Sequence, residues 1–357
     1  MTIPRHPADI TPQWLGSVLG VEVTDVHVTA IGTGQTGATY RVTAKYPADG
    51  ETPRQTASFA VKLPAQDAGV RERVALSYRS EVEFYSTVRE SVAIPVPDCI
   101  HSEISSEGTD FVLVMADLAP AEQGDQIAGC TQTEATLAVE ALAGLHAPSW
   151  GDRRWFDLPS IVMPRPGDAG AARGLGEIAV VAADITLERL GRSIGLQDRE
   201  TLTDALGLVA AWLLAEPDRF SLIHGDYRLD NLLFDPARTR VTVVDWQTLG
   251  LGLPARDLAY FTATSLLPEV RSAIERELVE RYHRALMSFG VRNYDSETCW
   301  LDYRLGALQA LLISTLGFAF AASTERGDEM ILTMLRRGCR AIRELAVIEL
   351  IQSYPSA

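Results

Sequence analysis

One short stretch of this sequence, residues 221–246, restricts the possible folds more than any other part of the chain. It contains His224, Asp226 and Asn231 in the spacing H-G-D-x-x-x-x-N, and the apolar run that follows ends at Asp245. Each residue alone has an ordinary explanation, such as a turn or the end of a strand. The combination, in this order and spacing, would rarely arise by chance. It predicts a functional loop followed by a short β-structure.

The residue types in this loop match the requirements of phosphoryl transfer. That reaction needs a carboxylate that positions the attacking hydroxyl and oxygen ligands for Mg²⁺. Asp226 is therefore predicted to be the catalytic residue, and Asn231 to be a metal ligand. Asp245 ends the apolar run 241–244, where a carboxylate is placed to bind the metal between phosphates. It is predicted to be the second metal ligand.

Three glycines near the N-terminus, Gly32, Gly34 and Gly37, form a G-x-G-x-x-G pattern. Alone, this pattern is shared by dinucleotide-binding folds, kinases and plain hairpin turns. A dinucleotide fingerprint opens a helix, whereas residues 38–44 alternate like a strand and have no helix-capping signature. The pattern therefore predicts a turn between antiparallel strands that closes over phosphates. A dinucleotide-dependent oxidoreductase is the disfavoured interpretation, and a plain glycine-rich turn stays open.

Lys62 lies inside the apolar segment Ala57–Leu63, where an ammonium group needs a partner. A nucleotide-binding site would supply phosphates and a glutamate from the next helix. Glu81 and Glu83 both lie on that helix, but positions two apart point to different faces. We predict Glu81 as the partner. The alternative is that Lys62 snorkels to solvent from an edge strand.

The order of predicted elements changes character after residue 117. Strands are predicted at Val21–Ile31, Ala38–Tyr46 and Ala57–Leu63, followed by a helix over 71–89 and two further apolar segments. From Thr131 onward the pattern is mainly helical, interrupted by the β-rich stretch 221–246 and by a predicted loop at 151–178. The sequence therefore predicts an α+β fold with a nucleotide-binding lobe at 1–117 and a catalytic, substrate-binding lobe at 118–357.

The stretch from His224 to Phe261 resembles the aminoglycoside phosphotransferase superfamily, which includes choline, ethanolamine, homoserine and ecdysteroid kinases. The similarity extends over nearly the whole chain, through the Gly-rich turn, Ala57–Leu63, Glu81–Tyr85, Phe111–Leu118 and Leu142–His146. It implies a protein-kinase-like two-lobed fold, with a small antiparallel β N-lobe carrying one helix and a larger, mainly helical C-lobe. The amino-acid sequence around Pro95, 117–120 and 124–129 is most similar to that of the ecdysteroid-kinase-like branch.

The resemblance also implies roles for individual residues, with ATP and Mg²⁺ as cofactors. It implies that Asp226 is the base or hydroxyl-positioning residue and that Asn231 and Asp245 hold Mg²⁺. It implies that Lys62 and Glu81 anchor the phosphates, and that Met115 and Asp117 lie in the hinge whose backbone pairs with adenine. It also implies that Asp257 braces the loop. Every motif residue of an active kinase is present. An active enzyme is therefore favoured over the alternative, an inactive nucleotide-binding pseudokinase.

The acceptor is predicted to be a hydroxyl group of a small molecule. Only a short segment separates Asp245 from Asp257, and no A-P-E motif follows, so the peptide platform of a protein kinase is missing. The loop 151–178 and the helical lobe are predicted to form the acceptor pocket. Four acidic residues either bind an amine-bearing acceptor or only keep loops solvated; they are Asp125, Asp152, Asp157 and Asp168.

Composition and charge exclude several other classes. The net charge of −15 weighs against a general nucleic-acid-binding protein, which needs a basic surface. Uninterrupted apolar runs fall short of the roughly 18 residues that suggest a membrane span. The N-terminus lacks the apolar core of a secretory signal, so we expect a cytoplasmic protein. The four scattered cysteines predict neither a disulfide framework nor a zinc site. The oligomeric state is left open.

Overall fold

A computed structural model describes residues 2–31, 37–48, 56–320 and 323–354, and the chain divides into two compact units. The first unit comprises the chain up to Glu90 together with Val96–Pro120 and Asp245–Gln247. The second unit comprises Ser91–Pro95, Ala121–Val244 and the chain from Thr248 onward. The functional division predicted after residue 117 stays a prediction.

The first unit contains a five-stranded antiparallel sheet with the strand order β1-β2-β3-β5-β4. Its strands are β1 (Asp25–Ile31), β2 (Gly37–Lys45), β3 (Thr56–Pro64), β4 (Cys99–Ile104) and β5 (Phe111–Ala116). Lys62 on β3 lies opposite Thr39 on one side and Leu113 on the other. Because β3 has a neighbour on both sides, Lys62 is not on an edge strand, and the snorkelling alternative is wrong.

The strand after the Gly-rich pattern decides between two of its interpretations. β2 begins at Gly37, so a strand and not a helix follows the glycines. This arrangement does not fit a dinucleotide fingerprint. Gly32 and Gly34 lie outside the described residues, so their predicted contact with phosphates stays a prediction.

The helices of the first unit follow local capping signals. They are α1 (Pro12–Leu19), α2 (Ala68–Arg73) and α3 (Ala75–Glu83), and a π-helical turn at Phe84–Val88 continues α3. The single helix predicted over 71–89 begins earlier, because the Asp67 side chain accepts a hydrogen bond from the Val70 N–H and caps α2. It is interrupted at Val74, whose backbone is non-helical.

Apolar side chains from the sheet and α1 form the core of the first unit. Val42, Val61 and Leu63 are fully buried there together with Leu15 of α1. Burying a side chain of this size contributes about 1.5–3 kcal/mol. The polar positions between them on β3, including Lys62, therefore lie on a strand that packing holds firmly in register.

The second unit is mainly helical and has short strands near the predicted functional loop. The strands are β6 (Glu122–Gln123), β7 (Ser221–Ile223), β8 (Leu232–Phe234), β9 (Val241–Val243) and β10 (Gly250–Gly252). They pair as β6-β8-β9 and as β10-β7, all antiparallel. The β-rich stretch 221–246 is thus confirmed, and β7 and β8 lie on either side of the loop.

The helices of the second unit are α4 (Gln132–Ser149), α5 (Ala169–Leu190), α6 (Leu196–Leu206), α7 (Val209–Leu214), α8 (Ala255–Ser265), α9 (Pro268–Ser288), α10 (Ser296–Gly306), α11 (Leu308–Phe320), α12 (Glu325–Glu344) and α13 (Val347–Gln352). The prediction of a loop over 151–178 is wrong for its last third. Residues 169–178 are helical, because the Asp168 side chain caps α5 by accepting a hydrogen bond from the Ala171 N–H. Glycines in that first part hid the periodicity.

The stretch Ser296–Phe320 is long and apolar enough to cross a membrane by length and composition alone. Its most apolar 18-residue window is 67% buried within the structure. Leu308, Leu311 and Leu312 are fully buried. The apolar character of this stretch is therefore accounted for by packing in the helical core.

The predicted fold class is confirmed. The small unit is an antiparallel sheet with helices, and the larger unit is mainly helical with short strands. After α1, the predicted succession of three strands, a helical segment and two further apolar segments is observed as β1 to β3, α2 with α3, and β4 with β5.

Two glycines of the second unit give opposite predictions for the same substitution. A Cβ atom at Gly144 of α4 would lie 2.8 Å from the Ile94 nitrogen, whereas a Cβ at Gly174 of α5 would meet no atom within 4 Å. Gly144→Ala should lower the free energy of unfolding by about 1–3 kcal/mol through overpacking. Gly174→Ala should raise it by about 0.5–1 kcal/mol through helix propensity. Urea denaturation measures both, and stabilisation by Gly144→Ala would contradict the packing described.

Candidate functional site

A buried ammonium group organises the candidate site in the first unit. Lys62 Nζ lies 2.7 Å from Glu81 Oε2 and 2.9 Å from Asp245 Oδ1. Lys62 is 8% exposed and Glu81 is 1% exposed, so this is a buried ion pair. The pairing of Lys62 with Glu81, predicted from the sequence in preference to Glu83, is present. Its binding of phosphates stays a prediction.

Two carboxylates share the Lys62 ammonium. Burial lowers the pKa of Lys62, but the carboxylates of Asp245 and Glu81 outweigh it and raise the pKa well above its usual value. Burial raises the pKa of Glu81, against the opposing effect of Lys62. One ammonium therefore faces two carboxylates. Such a cluster favours an additional cation over a bare anion.

Asp245 occupies an unusual backbone conformation at the end of β9. Its φ is +69°, in the left-handed region that Asp tolerates better than most residues. The next residue, Trp246, is fully buried and stacks on Phe84 with 3.5 Å between ring centroids and 3° between ring planes. The Asp245 side chain is 39% exposed. The stacked ring thus anchors the backbone beside a carboxylate that solvent reaches.

In the second unit, the loop after β7 directs Asp226 into a set of hydrogen-bond donors. Arg228 Nε lies 3.1 Å from each carboxylate oxygen, and Asn231 Nδ2 lies 3.1 Å from Oδ2. The Tyr260 hydroxyl donates to Oδ1 at 2.6 Å. The Asp226 side chain is 21% exposed. Asp226 and Asn231, predicted from their spacing, are therefore in direct contact.

A second, fully buried carboxylate supports the backbone of this loop. Asp257 of α8 accepts hydrogen bonds from the N–H groups of His224 at 2.6 Å and Gly225 at 2.9 Å. The fully buried His146 ring lies 3.3 Å from the same carboxylate. Gly225 has a φ of +83°, and a Cβ there would lie 2.4 Å from the Thr248 carbonyl oxygen. The contact predicted between Asp257 and the loop is observed.

The His224 side chain connects the loop to the strand that precedes Asp245. Its Nδ1 accepts a hydrogen bond from the Asp226 N–H at 3.3 Å, and its Nε2 lies 3.1 Å from the Val244 carbonyl oxygen. The ring therefore carries its proton on Nε2 and donates to Val244. The Val244 N–H in turn donates to the Asn231 carbonyl at 3.0 Å. These contacts fix the orientation of the loop around His224.

The remaining residues predicted for nucleotide binding lie at the end of β5 and the start of β2. The Asp117 side chain accepts hydrogen bonds from Arg41 Nε at 2.7 Å and Ser58 Oγ at 2.6 Å. It therefore connects the segment after β5 to β2 and β3. Met115 is buried in β5. The predicted pairing of this backbone with adenine stays a prediction.

Three of the four acidic residues proposed as amine ligands make local hydrogen bonds instead. Asp125 accepts from the Ile127 and Ala128 N–H groups, Asp152 accepts from the Arg154 N–H, and Asp168 caps α5. These are turn and cap contacts of the kind Asp makes in loops. They favour the simpler alternative, in which these residues stabilise loops.

The donor set for Mg²⁺ consists of oxygen atoms. Among the described residues, no group of three or more His, Cys, Asp or Glu side chains gathers into a metal centre. Mg²⁺ in nucleotide sites is held by one or two protein oxygen ligands, substrate phosphates and waters. Asn231 turns its Nδ2 toward Asp226, so its Oδ1 is the atom that would bind a metal ion. The side-chain oxygens of Asn231 and of Asp245 are each of the kind that Mg²⁺ takes as ligands, and their roles as metal ligands stay predictions.

Two residues at Asp226 were missed by the sequence analysis, namely Arg228 and Tyr260. Arg228 lies two positions after Asp226, a spacing that was visible in the motif. Tyr260 is three residues after Asp257 on α8, and residues three apart share a helix face. The predicted contact of Asp257 with the loop was thus the signal that pointed to Tyr260.

Comparison with protein families gives one match that covers most of the chain. The model of the phosphotransferase enzyme family matches residues 27–295. The superfamily predicted from the sequence is thereby confirmed. The nearer resemblance to the ecdysteroid-kinase-like branch stays a prediction.

Individual proteins resemble this chain in sequence or in fold. Chicken acyl-CoA dehydrogenase family member 11 is 30% identical over 178 residues, which are 48% of this chain and 21% of that protein, so the chain spans about a fifth of this relative. A microcompartment-associated aminopropanol kinase has a TM-score of 0.56 at 20% identity, with 95% of this chain and 98% of that chain covered. Choline kinase from Cryptosporidium parvum also has a TM-score of 0.56, at 11% identity, with coverages of 96% and 95%. These two likenesses concern the fold.

Two glutamates of the first unit separate a buried ion pair from an exposed surface charge. Glu81→Gln should lower the free energy of unfolding by about 3 kcal/mol, because it breaks a buried pair. Glu72→Gln, at an exposed position of α2, should cost less than about 1 kcal/mol. Chemical denaturation of the two variants measures the difference. Equal losses would contradict the role of Glu81 as the principal partner of Lys62.

Proposed function

This chain belongs to the phosphotransferase enzyme family, and on that premise we propose that it transfers the γ-phosphoryl group of ATP, with Mg²⁺, to a hydroxyl group of a small molecule. The observation that carries the proposal is the buried ammonium of Lys62, which contacts both Glu81 and Asp245. A strand lysine, a helix glutamate and a carboxylate that follows a strand are the parts that hold a metal-bound triphosphate in kinases.

The first unit supplies the charges for the nucleotide. Lys62 stays protonated in its buried position and donates to phosphate oxygens, while Glu81 holds its ammonium in place. Asp245 and Asn231 are the residues proposed to bind Mg²⁺. When bound, Mg²⁺ supplies positive charge to the phosphate oxygens as negative charge develops on them. The two carboxylates that share the Lys62 ammonium support the assignment of Asp245.

The second unit supplies the group that acts on the acceptor. Asp226 accepts a hydrogen bond from the acceptor hydroxyl and orients its oxygen toward the γ-phosphorus of ATP. It takes the hydroxyl proton as the new P–O bond forms and the bond from the γ-phosphorus to the bridging oxygen breaks, so that ADP leaves with that oxygen. Asp257 and His224 hold the backbone on which Asp226 is mounted. Catalysis of this kind comes mostly from positioning and charge stabilisation.

A small-molecule acceptor is supported by the family and by the short distance in sequence between Asp245 and Asp257. The alternative, an inactive pseudokinase, has no specific observation in its favour, because Lys62, Asp226 and Asn231 are all present. The local bonds of Asp125, Asp152 and Asp168 disfavour an acceptor that is recognised by those carboxylates. The cytoplasmic location expected from the sequence is part of this proposal.

Isothermal calorimetry tests the nucleotide assignment without knowledge of the acceptor. ATP should bind with Mg²⁺ and at least about tenfold more weakly in EDTA, since the carboxylates repel a bare triphosphate. Asp245→Ala should remove most of the difference between the two conditions. Asp98→Ala, which removes an exposed carboxylate of the same unit, is the matched control. Metal-independent binding, or no binding, would contradict the proposal.

Turnover tests the role assigned to Asp226. ADP release should be measured with a panel of small alcohols, amino alcohols, aminoglycosides and sterols. Asp226→Ala should lower kcat by about 10²–10⁴-fold with the acceptor that the wild type uses, and should leave Mg²⁺-dependent ATP binding intact. Full activity of Asp226→Ala would rule out this residue as the group that acts on the hydroxyl.

A further inference from the structure

The α8 helix presents two polar side chains to the loop that carries Asp226. Asp257 and Tyr260 are three positions apart and therefore share a face. Asp257 bonds the backbone of the loop, at His224 and Gly225, whereas Tyr260 bonds the Asp226 carboxylate itself. One helix thus contacts both the framework of the loop and its candidate catalytic group.

The Tyr260 hydroxyl donates a hydrogen bond to Asp226 Oδ1 at 2.6 Å, within the usual range for an O–H donor to a carboxylate. The residue is fully buried. Burial, together with the negative charge of Asp226, raises the pKa of Tyr260 well above its usual value. The phenol therefore keeps its proton and serves as a donor throughout the physiological pH range.

The other donors leave a specific task for Tyr260. Arg228 Nε lies equally far, at 3.1 Å, from both oxygens of Asp226, so it sets the charge without selecting one oxygen. Asn231 Nδ2 bonds Oδ2. Tyr260 is the donor with its short bond on Oδ1. Tyr260 therefore holds Oδ1 and Asn231 holds Oδ2, and together they fix the rotation of the Asp226 carboxylate about its bond to the side chain.

Arg228 is itself restrained and does not move freely with Asp226. Its Nη1 donates to Asp230 Oδ2 at 2.8 Å and lies 3.1 Å from the sulfur of Met330 in α12. Arg326, also of α12, lies 3.5 Å from the other oxygen of Asp230. Asp226 and Asp230 therefore share one cation, Arg228, which contacts α12, whereas the Tyr260 hydroxyl bonds Asp226 alone.

We propose that Tyr260 is a positioning residue, which fixes the rotation of the Asp226 carboxylate so that one oxygen meets the acceptor hydroxyl. This inference rests on the proposed function. Phenylalanine would fill the same space and bury the same apolar surface, so packing alone does not require a hydroxyl at this position. A buried hydroxyl is retained where it has a partner, and here the partner is the candidate catalytic group.

Tyr260→Phe tests the proposal, and Tyr303→Phe is its matched control. Tyr303 is also fully buried in the second unit and donates to a carboxylate, that of Glu275, at 2.8 Å. With ATP, Mg²⁺ and the acceptor that the wild type uses in the panel, Tyr260→Phe should lower kcat by about 10–100-fold, because small misplacements of a reacting group are costly. The KM for ATP should stay within about twofold, and Tyr303→Phe should leave kcat unchanged.

A second readout does not require turnover. In a ¹⁵N-labelled protein, the Arg228 Nε–H signal reports the restraint on the Asp226 carboxylate. Tyr260→Phe should accelerate solvent exchange of this proton by about tenfold or more, since the carboxylate gains rotational freedom. Tyr303→Phe should leave the exchange rate unchanged, and both variants should keep the dispersed spectrum of the folded protein.

The outcomes separate the two proposals. If Tyr260→Phe keeps the wild-type kcat, or if Tyr303→Phe loses as much, Tyr260 does not position Asp226. If the wild-type protein turns over no acceptor, the proposed function fails, and the exchange rate of Arg228 then decides the positioning claim by itself. An unchanged exchange rate in Tyr260→Phe would overturn it.

Discussion

The ion pair that Lys62 forms with two carboxylates is the interaction on which the account of this protein depends. The sheet of the first unit places an ammonium in a central strand, where its burial is tolerated only because Glu81 and Asp245 lie within hydrogen-bond distance. Replacing such a pair with apolar residues of similar volume is often neutral or stabilising in other proteins. Its presence therefore favours the proposed function, in which the charges bind a metal-bound triphosphate.

In the second unit, a buried carboxylate likewise has defined hydrogen-bond partners, here in the backbone of a loop. Asp257 is fully buried, and its two oxygens accept hydrogen bonds from backbone N–H groups. These bonds fix the conformation of the loop between β7 and β8. Gly225 is required at its bend, where a side chain would collide with the backbone of residue 248. His224 then joins the loop to Val244. In the H-G-D-x-x-x-x-N motif, the histidine and the glycine therefore hold the backbone that carries Asp226.

Much of this arrangement was predictable from residue type and spacing. The strand position of Lys62 followed from its apolar neighbours, and Glu81 was preferred over Glu83 because residues two apart on a helix face different ways. The helical start of α5 was missed, because its glycines masked the periodicity while the cap at Asp168 was overlooked. Tyr260 was missed for another reason: its bond to Asp226 joins segments far apart in sequence, and its position one helical turn after Asp257 was the available signal.

We propose that a phosphoryl group passes from ATP to a small-molecule hydroxyl at Asp226. The most direct measurement uses ATP carrying three ¹⁸O atoms on its γ-phosphorus, incubated with the protein, Mg²⁺ and a mixture of small-molecule alcohols, with products resolved by mass spectrometry. We expect a phosphate monoester that carries the heavy oxygens and is absent with Asp226→Asn. Heavy label that appears only in inorganic phosphate, or in equal amounts of monoester with Asp226→Asn, would contradict the account.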